Sequence, residues 1–167
     1  GRYSAETWSG TTLPELGGNI SRNATTSNIT NGIGNGNGAT ASIAYLSGTT
    51  GSNISWTSGS IPTTFTICSL TRFATIGTKM RVLCSQSGNW IHGHLGTANG
   101  NFGLCYYEGY KNGGSGTITN WINCCGTNNT GIAIPNNIIV NTVPVGSTNG
   151  GAGGGSYALA INIHRQH

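Results

Sequence analysis

Bond-making chemistry in this 167-residue chain would have to come from three glutamates, four histidines and five cysteines, because it contains no aspartate. Glu6, Glu15 and Glu108 are dispersed along the sequence. Glycoside hydrolysis needs two carboxyl groups roughly 5–9 Å apart, and no local spacing sets two of these side by side. A calcium site wants several carboxylate oxygens, which three scattered acids do not supply. A Ser/His/Asp triad lacks its acid, and no G-x-S-x-G turn occurs. Residues 34–39 (Gly-Asn-Gly-Asn-Gly-Ala) match G-x-G-x-x-A, but no helical pattern follows and no acid stands about 20 residues on. They read as a flexible loop. The sequence therefore names no catalytic residue and no cofactor, and the chain reads as non-enzymatic.

His92-Gly93-His94 lies on a strand pattern, where residues i and i+2 share a face. Two imidazoles there could chelate zinc or copper, but such a site wants further ligands. Only His164, His167, a glutamate or the cysteines could provide them. A structural or surface role fits better than a metal site. The tryptophans Trp8, Trp56, Trp90 and Trp121 and six tyrosines could stack on sugar rings, although such residues on strands more often fill a core. Trp90, His92, His94 and Tyr107 are the candidate ligand-binding residues.

None of the cysteines Cys68, Cys84, Cys105, Cys124 and Cys125 is spaced as C-x2-C, which argues against zinc. A hairpin over 64–73 and 79–86 with its turn near residue 76 sets Cys68 opposite Cys84. A second over 102–110 and 118–125 sets Cys105 opposite Cys124. Disulfides Cys68–Cys84 and Cys105–Cys124 are the expectation, each stabilising by roughly 3 kcal/mol through loop entropy. Cys125 would then be free or bonded to another chain. Five buried, reduced cysteines are the alternative. Bridges would place the chain in an oxidising compartment.

N-x-S/T sequons stand at Asn19, Asn23, Asn28, Asn53 and Asn128. With 20 asparagines and 39 Ser/Thr residues, chance alone gives as many. The cluster within 19–30 is more telling, because it falls in a polar stretch where N-linked glycans attach.

These residues must be positioned by strands. No stretch keeps an apolar i, i+3, i+4, i+7 pattern, and Gly and β-branched residues disfavour helix. The apolar fraction is 35%, low enough to raise disorder, but β-branched and aromatic runs over 65–73, 90–95 and 138–145 argue for a core. Strands are predicted over 2–8, 40–46, 53–57, 64–73, 79–86, 89–95, 102–110, 118–125, 137–145 and 156–163. Short strands at such spacing make an antiparallel β-sandwich. Low-complexity loops are expected over about 19–39 and 146–155.

The net charge of +4 reflects missing acids, and the seven basic residues form no run. Nucleic-acid binding, which needs clustered Lys and Arg, is not expected. No stretch approaches the 18 apolar residues of a membrane span. The chain opens on Gly1 without a signal-peptide pattern, as a mature or trimmed chain would. A surface so poor in charge is sticky unless glycans or neighbouring subunits cover it.

Arg2-Tyr-Ser-Ala, Trp8-Ser-Gly-Thr-Thr and Leu16-Gly-Gly-Asn19 resemble the opening of concanavalin A-like (laminin-G-like) jelly-roll domains of extracellular proteins from aquatic microbes and algae. The resemblance continues in residues 64–73 (Thr-Phe-Thr-Ile-Cys-Ser-Leu-Thr-Arg-Phe), 89–94 (Asn-Trp-Ile-His-Gly-His), Gly103 through Tyr106-Tyr107-Glu-Gly-Tyr110, and 153–162. It implies a single jelly-roll domain over 1–167, acting as a binding or structural module. The family's usual acids are absent, which speaks against calcium-dependent sugar binding. Its pattern also runs past Asn162 into a final strand, whereas this sequence stops at His167, so either the sequence is incomplete or the fold lacks an edge strand. The leading expectation is a secreted structural glycoprotein that associates with itself in a filament or surface layer. A carbohydrate-binding module is the alternative, and a glycosidase would need two of the glutamates to converge.

Overall fold

The computed structural model describes the backbone of residues 1–75, 81–86, 90–95, 104–107, 110–111, 119–146 and 157–161; side chains are described for the same residues apart from 94–95, 104–107 and 110–111. The chain is all-β, with antiparallel sheets. The predicted sandwich is what these residues build, although its first predicted strand, 2–8, is instead a 3-10 turn at Ala5–Thr7, capped by Ser4.

Three groups of strands form. An eight-stranded sheet has the order β1-β2-β5-β14-β7-β8-β9-β10. Its members are β1 (Thr12–Leu13), β2 (Ala24–Ser27), β5 (Asn53–Ser55), β7 (Arg81–Ser85), β8 (Ile91–Leu95), β9 (Leu104–Tyr107), β10 (Tyr110–Lys111) and β14 (Leu159–Ile161). A four-stranded sheet, β13-β12-β11-β6, holds β6 (Thr66–Thr71), β11 (Ile122–Thr127), β12 (Ile138–Val140) and β13 (Val143–Pro144). A separate ribbon pairs β3 (Thr30–Gly36) with β4 (Ala39–Ser47).

The two larger sheets face each other across one core. Ile54, Leu83, Trp90 and Leu159 come from the eight-stranded side, and Ile122, Cys124, Ile138 and Val140 from the other. Phe65 and Trp90 meet edge to face at 5.7 Å. Each large apolar side chain buried this way contributes roughly 1.5–3 kcal/mol. Alternation on β11 is visible in its first residues, where Ile122 and Cys124 are buried and Asn123 is exposed.

Two expectations fail in instructive ways. The stretch 19–39 was expected to be a loop, yet it carries β2 and β3. The ribbon turns at Asn37-Gly38, with φ of 52° and 86° and Gly36 paired with Ala39. That is a type I′ hairpin, which Asn-Gly favours because both residues tolerate positive φ. Along β3, Gly32 leaves room for the Tyr45 ring. A Cβ on Gly32 would stand 2.6 Å from it. Gly32 thus admits an aromatic cover that a side chain would exclude, while a Cβ on Gly34 would stand at ordinary contact distance from the same ring. The second failure is the hairpin over 64–73 and 79–86. β6 and β7 stand in different sheets, and so do β9 and β11, so the expected hairpin over 102–110 and 118–125 is not formed either. The predicted loop over 146–155 lies, apart from Gly146, outside the described residues.

Candidate functional site

Placement in opposite sheets decides the cysteine chemistry. Cys68 on β6 lies opposite Cys125 on β11, and those two form the disulfide. The expected Cys68–Cys84 bridge is not made, because Cys84 is buried on β7 in the other sheet. Nor is Cys125 free or held for another chain. Cys124 is also disulfide-bonded, while the side chain of its predicted partner, Cys105, lies outside the described residues. The Cys68–Cys125 bridge sits on the outer face of the four-stranded sheet, with Cys68 exposed.

The candidate ligand-binding residues separate. Trp90 and His92 have no solvent-exposed surface. His92 stacks on Trp90 with ring centroids 6.1 Å apart, and its Nε2 lies 3.2 Å from the carbonyl oxygen of Cys124 in the facing sheet. It therefore ties one sheet to the other. Burial pushes its pKa down to about 4, partly opposed by that carbonyl, so the ring is neutral at physiological pH. Neither residue can meet a ligand from solvent. Between His92 and His94, Gly93 has φ of 84°, which breaks the strand geometry on which a shared face depends. The side chains of His94 and Tyr107 lie outside the described residues. Among the described residues, no three His, Cys, Asp or Glu side chains gather as a metal site.

The acids are also accounted for where they are described. Glu15 accepts from the backbone N–H groups of Arg2 at 3.0 Å, Gly17 at 2.8 Å and Asn19 at 3.3 Å. Those bonds, led by that of Arg2, hold its carboxyl below the usual carboxylate range. Its oxygens fasten the N-terminal segment to the loop before β2. Glu6 is exposed beside Ser4, and Glu108 lies outside the described residues.

One surface cluster was not singled out as a site from sequence. Trp121, just before β11, is half-buried, and the Arg72 guanidinium stands 5.3 Å from its ring centre. Tyr45 lies 6.0 Å from Trp121 at a tilt of 52°. The backbone N–H of Trp121 donates to the carbonyl of Asn37 at the ribbon turn, at 2.9 Å. Arg72 Nη1 donates to the carbonyls of Phe73 and Thr119. The cluster fastens the ribbon to the sandwich and leaves aromatic surface at its rim. Trp121, like Trp8, is half-buried where Trp56 and Trp90 are buried, and residue spacing cannot reveal that difference.

The chain matches no family model, no curated protein and no solved structure. Its functional reading therefore rests on its own geometry.

The sequon asparagines differ in how committed they are. A glycan is carried on Nδ2. Asn128 donates from Nδ2 to Thr63 at 2.7 Å and accepts from the N–H of Phe65. Asn28 donates to the carbonyl of Gly51 at 3.1 Å. Asn23 and Asn53 are half-buried, their Oδ1 atoms accepting from Glu15 N–H and Ser55 Oγ. Asn19 is exposed and uses only Oδ1, accepting from Ser21 N–H and Oγ.

Proposed function

We propose that this chain is an extracellular structural subunit, a laminin-G-like jelly roll that assembles with copies of itself into a filament or surface layer and carries N-linked glycans. The observation that carries the reading is the outer face of the four-stranded sheet. Cys68, Cys125, Ile139 and Pro144 stand in register across its four strands. Beside that row and on the same face, Leu70 is 48% exposed. An apolar row on a chain with only ten charged residues invites cover by a neighbouring subunit. Sedimentation velocity and electron microscopy across a concentration series test this. Concentration-dependent assembly is expected, and monodisperse monomer at high concentration would sink the reading.

Glycans would act as the second cover. Asn19 is the best acceptor of the five, and Asn128 the poorest, by the geometry above. Intact-mass and glycopeptide measurement on protein from a eukaryotic secretory host should find occupancy at Asn19 above that at Asn128. A mass equal to the bare polypeptide would remove the glycoprotein part.

A second reading, carbohydrate binding, is favoured by the cluster of Tyr45, Trp121 and Arg72 at the ribbon junction. Aromatic faces beside a guanidinium suit sugar rings and their hydroxyls. Binding on a glycan array that is lost in Trp121→Ala would favour it.

A further inference from the structure

The edges of the two large sheets are not alike. β1 is two residues long and runs into Pro14. β10 is two residues long and carries Lys111. β13 is two residues long and ends in Pro144, which has no N–H to offer. Shortness, lysine and proline are the ordinary protections of a sheet edge. In the ribbon, β3 carries an irregular register between Gly34 and Gly36, and β4 packs against the Ala5–Thr7 turn. β6 has none of these. Its six residues, Thr-Ile-Cys-Ser-Leu-Thr, include no charge, proline or glycine, and they pair with β11 in six consecutive steps without a break.

The backbone groups on the open side of β6 follow from the register. Cys68 and Cys125 have Cα atoms 4.0 Å apart, the close spacing of a non-hydrogen-bonded pair, roughly 4.5 Å against 5.5 Å for a bonded one. The odd-numbered residues of β11 accordingly turn to β12. Thr127 donates to Asn137 at 2.9 Å, and Asn123 accepts from Asn141 at 2.9 Å. Ile67, Ser69 and Thr71 therefore bond β11. The N–H and C=O groups of Thr66, Cys68 and Leu70 point away from it and meet no strand among the described residues. Three donors and three acceptors stand in a row along that edge, beside the disulfide to β11.

The geometry points to a second copy of this chain as the occupant, with β6 pairing antiparallel to its own equivalent across a two-fold axis at Cys68. This inference rests on the self-assembly reading and names its contact. In that register Cys68 faces its own counterpart, while Thr66 faces Leu70 of the other copy. All six outward groups are then satisfied. The four-stranded sheets become one sheet of eight, and the apolar outer rows run on from one copy to the next. No charge lies on the strand to oppose its own approach. The far edge, β13, cannot continue the ladder because Pro144 stands there, so pairing through this sheet closes at two copies. A filament then needs a second, different contact between such pairs.

The test uses the full oxidised chain. Leu70→Pro removes an outward N–H that β11 does not use, a place where an edge strand tolerates proline. It should weaken pairing roughly thirtyfold, since two hydrogen bonds are lost per pair. Leu70→Lys supplies an ordinary edge protection and keeps the test open where the proline variant fails to fold. Ile33→Lys, on the ribbon, should leave the pair intact. Hydrogen exchange of the wild-type chain should slow at the amides of Thr66, Cys68 and Leu70 as concentration rises. Fast exchange at those three amides in the associated protein overturns the β6 contact and leaves the assembly reading standing. A wild-type chain that never associates overturns both.

Discussion

At the scale of single residues, the buried imidazole of His92 has the largest consequence. In the fold its pKa is about 4, against 6.5 when exposed. Between those values the unfolded chain binds a proton that the folded chain does not. Stability is therefore full above about pH 6.5 and falls as the pH drops toward 4, where it levels off for this group. The loss amounts to about 3 kcal/mol at 1.36 kcal/mol per unit. Denaturant midpoints between pH 7 and 4 measure it, and His92→Leu should flatten the slope in that window. An unchanged slope in the variant would assign the acid sensitivity elsewhere. Glu15 acts in a lower window, because its carboxyl is held below 4.5 and its contribution is lost only as pH falls through that depressed value. Next to His92, Gly93 is required twice over. Its φ of 84° penalises any side chain, and a Cβ would stand 3.0 Å from Ser69 Oγ. Gly93→Ala should cost about 1–2 kcal/mol, read as a lower midpoint at constant denaturant slope.

At the scale of elements, the strands were more legible than their partners. The β-branched and aromatic runs announced β6, β7, β8 and β9, because pattern is a local property. Pairing is not local. The stretch after Phe73 looks like a turn between two strands, and nothing in its residues says that the strands belong to different sheets. The expected Cys68–Cys84 bridge failed on that point alone. β3 was missed for a different reason. Its asparagines and glycines carry no strand propensity, although Asn37-Gly38 is a strong hairpin signal, and Tyr45 supplies the packing that the glycines lack. Burial of His92 was illegible too, since a histidine two residues from another on a strand looks the same inside a core or outside it. The β12–β13 turn yields a further prediction. Asn141 and Thr142 have φ of 48° and 72°, and Thr is branched at Cβ, so it holds the left-handed region at a cost. Thr142→Gly should stabilise the protein by about 1 kcal/mol, visible as a Tm higher by a few degrees. A lower Tm would show that glycine's added freedom in the unfolded chain outweighs the relief.

At the scale of the whole molecule, the scarcity of charge bears on the proposed self-association. Seven basic and three acidic residues are spread over 167 positions, and the basic ones form no run in the sequence. Long-range attraction or repulsion between copies is therefore weak, and the proposed association would rest on hydrogen bonds along the β6 edge and on apolar contact over the sheet beside it. Salt screens charges over about 10 Å at 0.1 M and about 3 Å at 1 M, but it leaves such contacts largely in place. Self-association should accordingly change by less than about threefold between 50 mM and 500 mM NaCl, measured by sedimentation equilibrium. A protein held together by ion pairs would instead dissociate over that range, and a protein kept apart by its net positive charge would associate much more strongly as salt rises. Either behaviour would shift the driving force from the β6 edge and its apolar row to the few charges, Arg72 at the ribbon junction and Arg81 on β7 first among them. Sodium sulfate separates the apolar part from the rest, because it strengthens burial of apolar surface. Association should tighten in sulfate while staying flat in chloride.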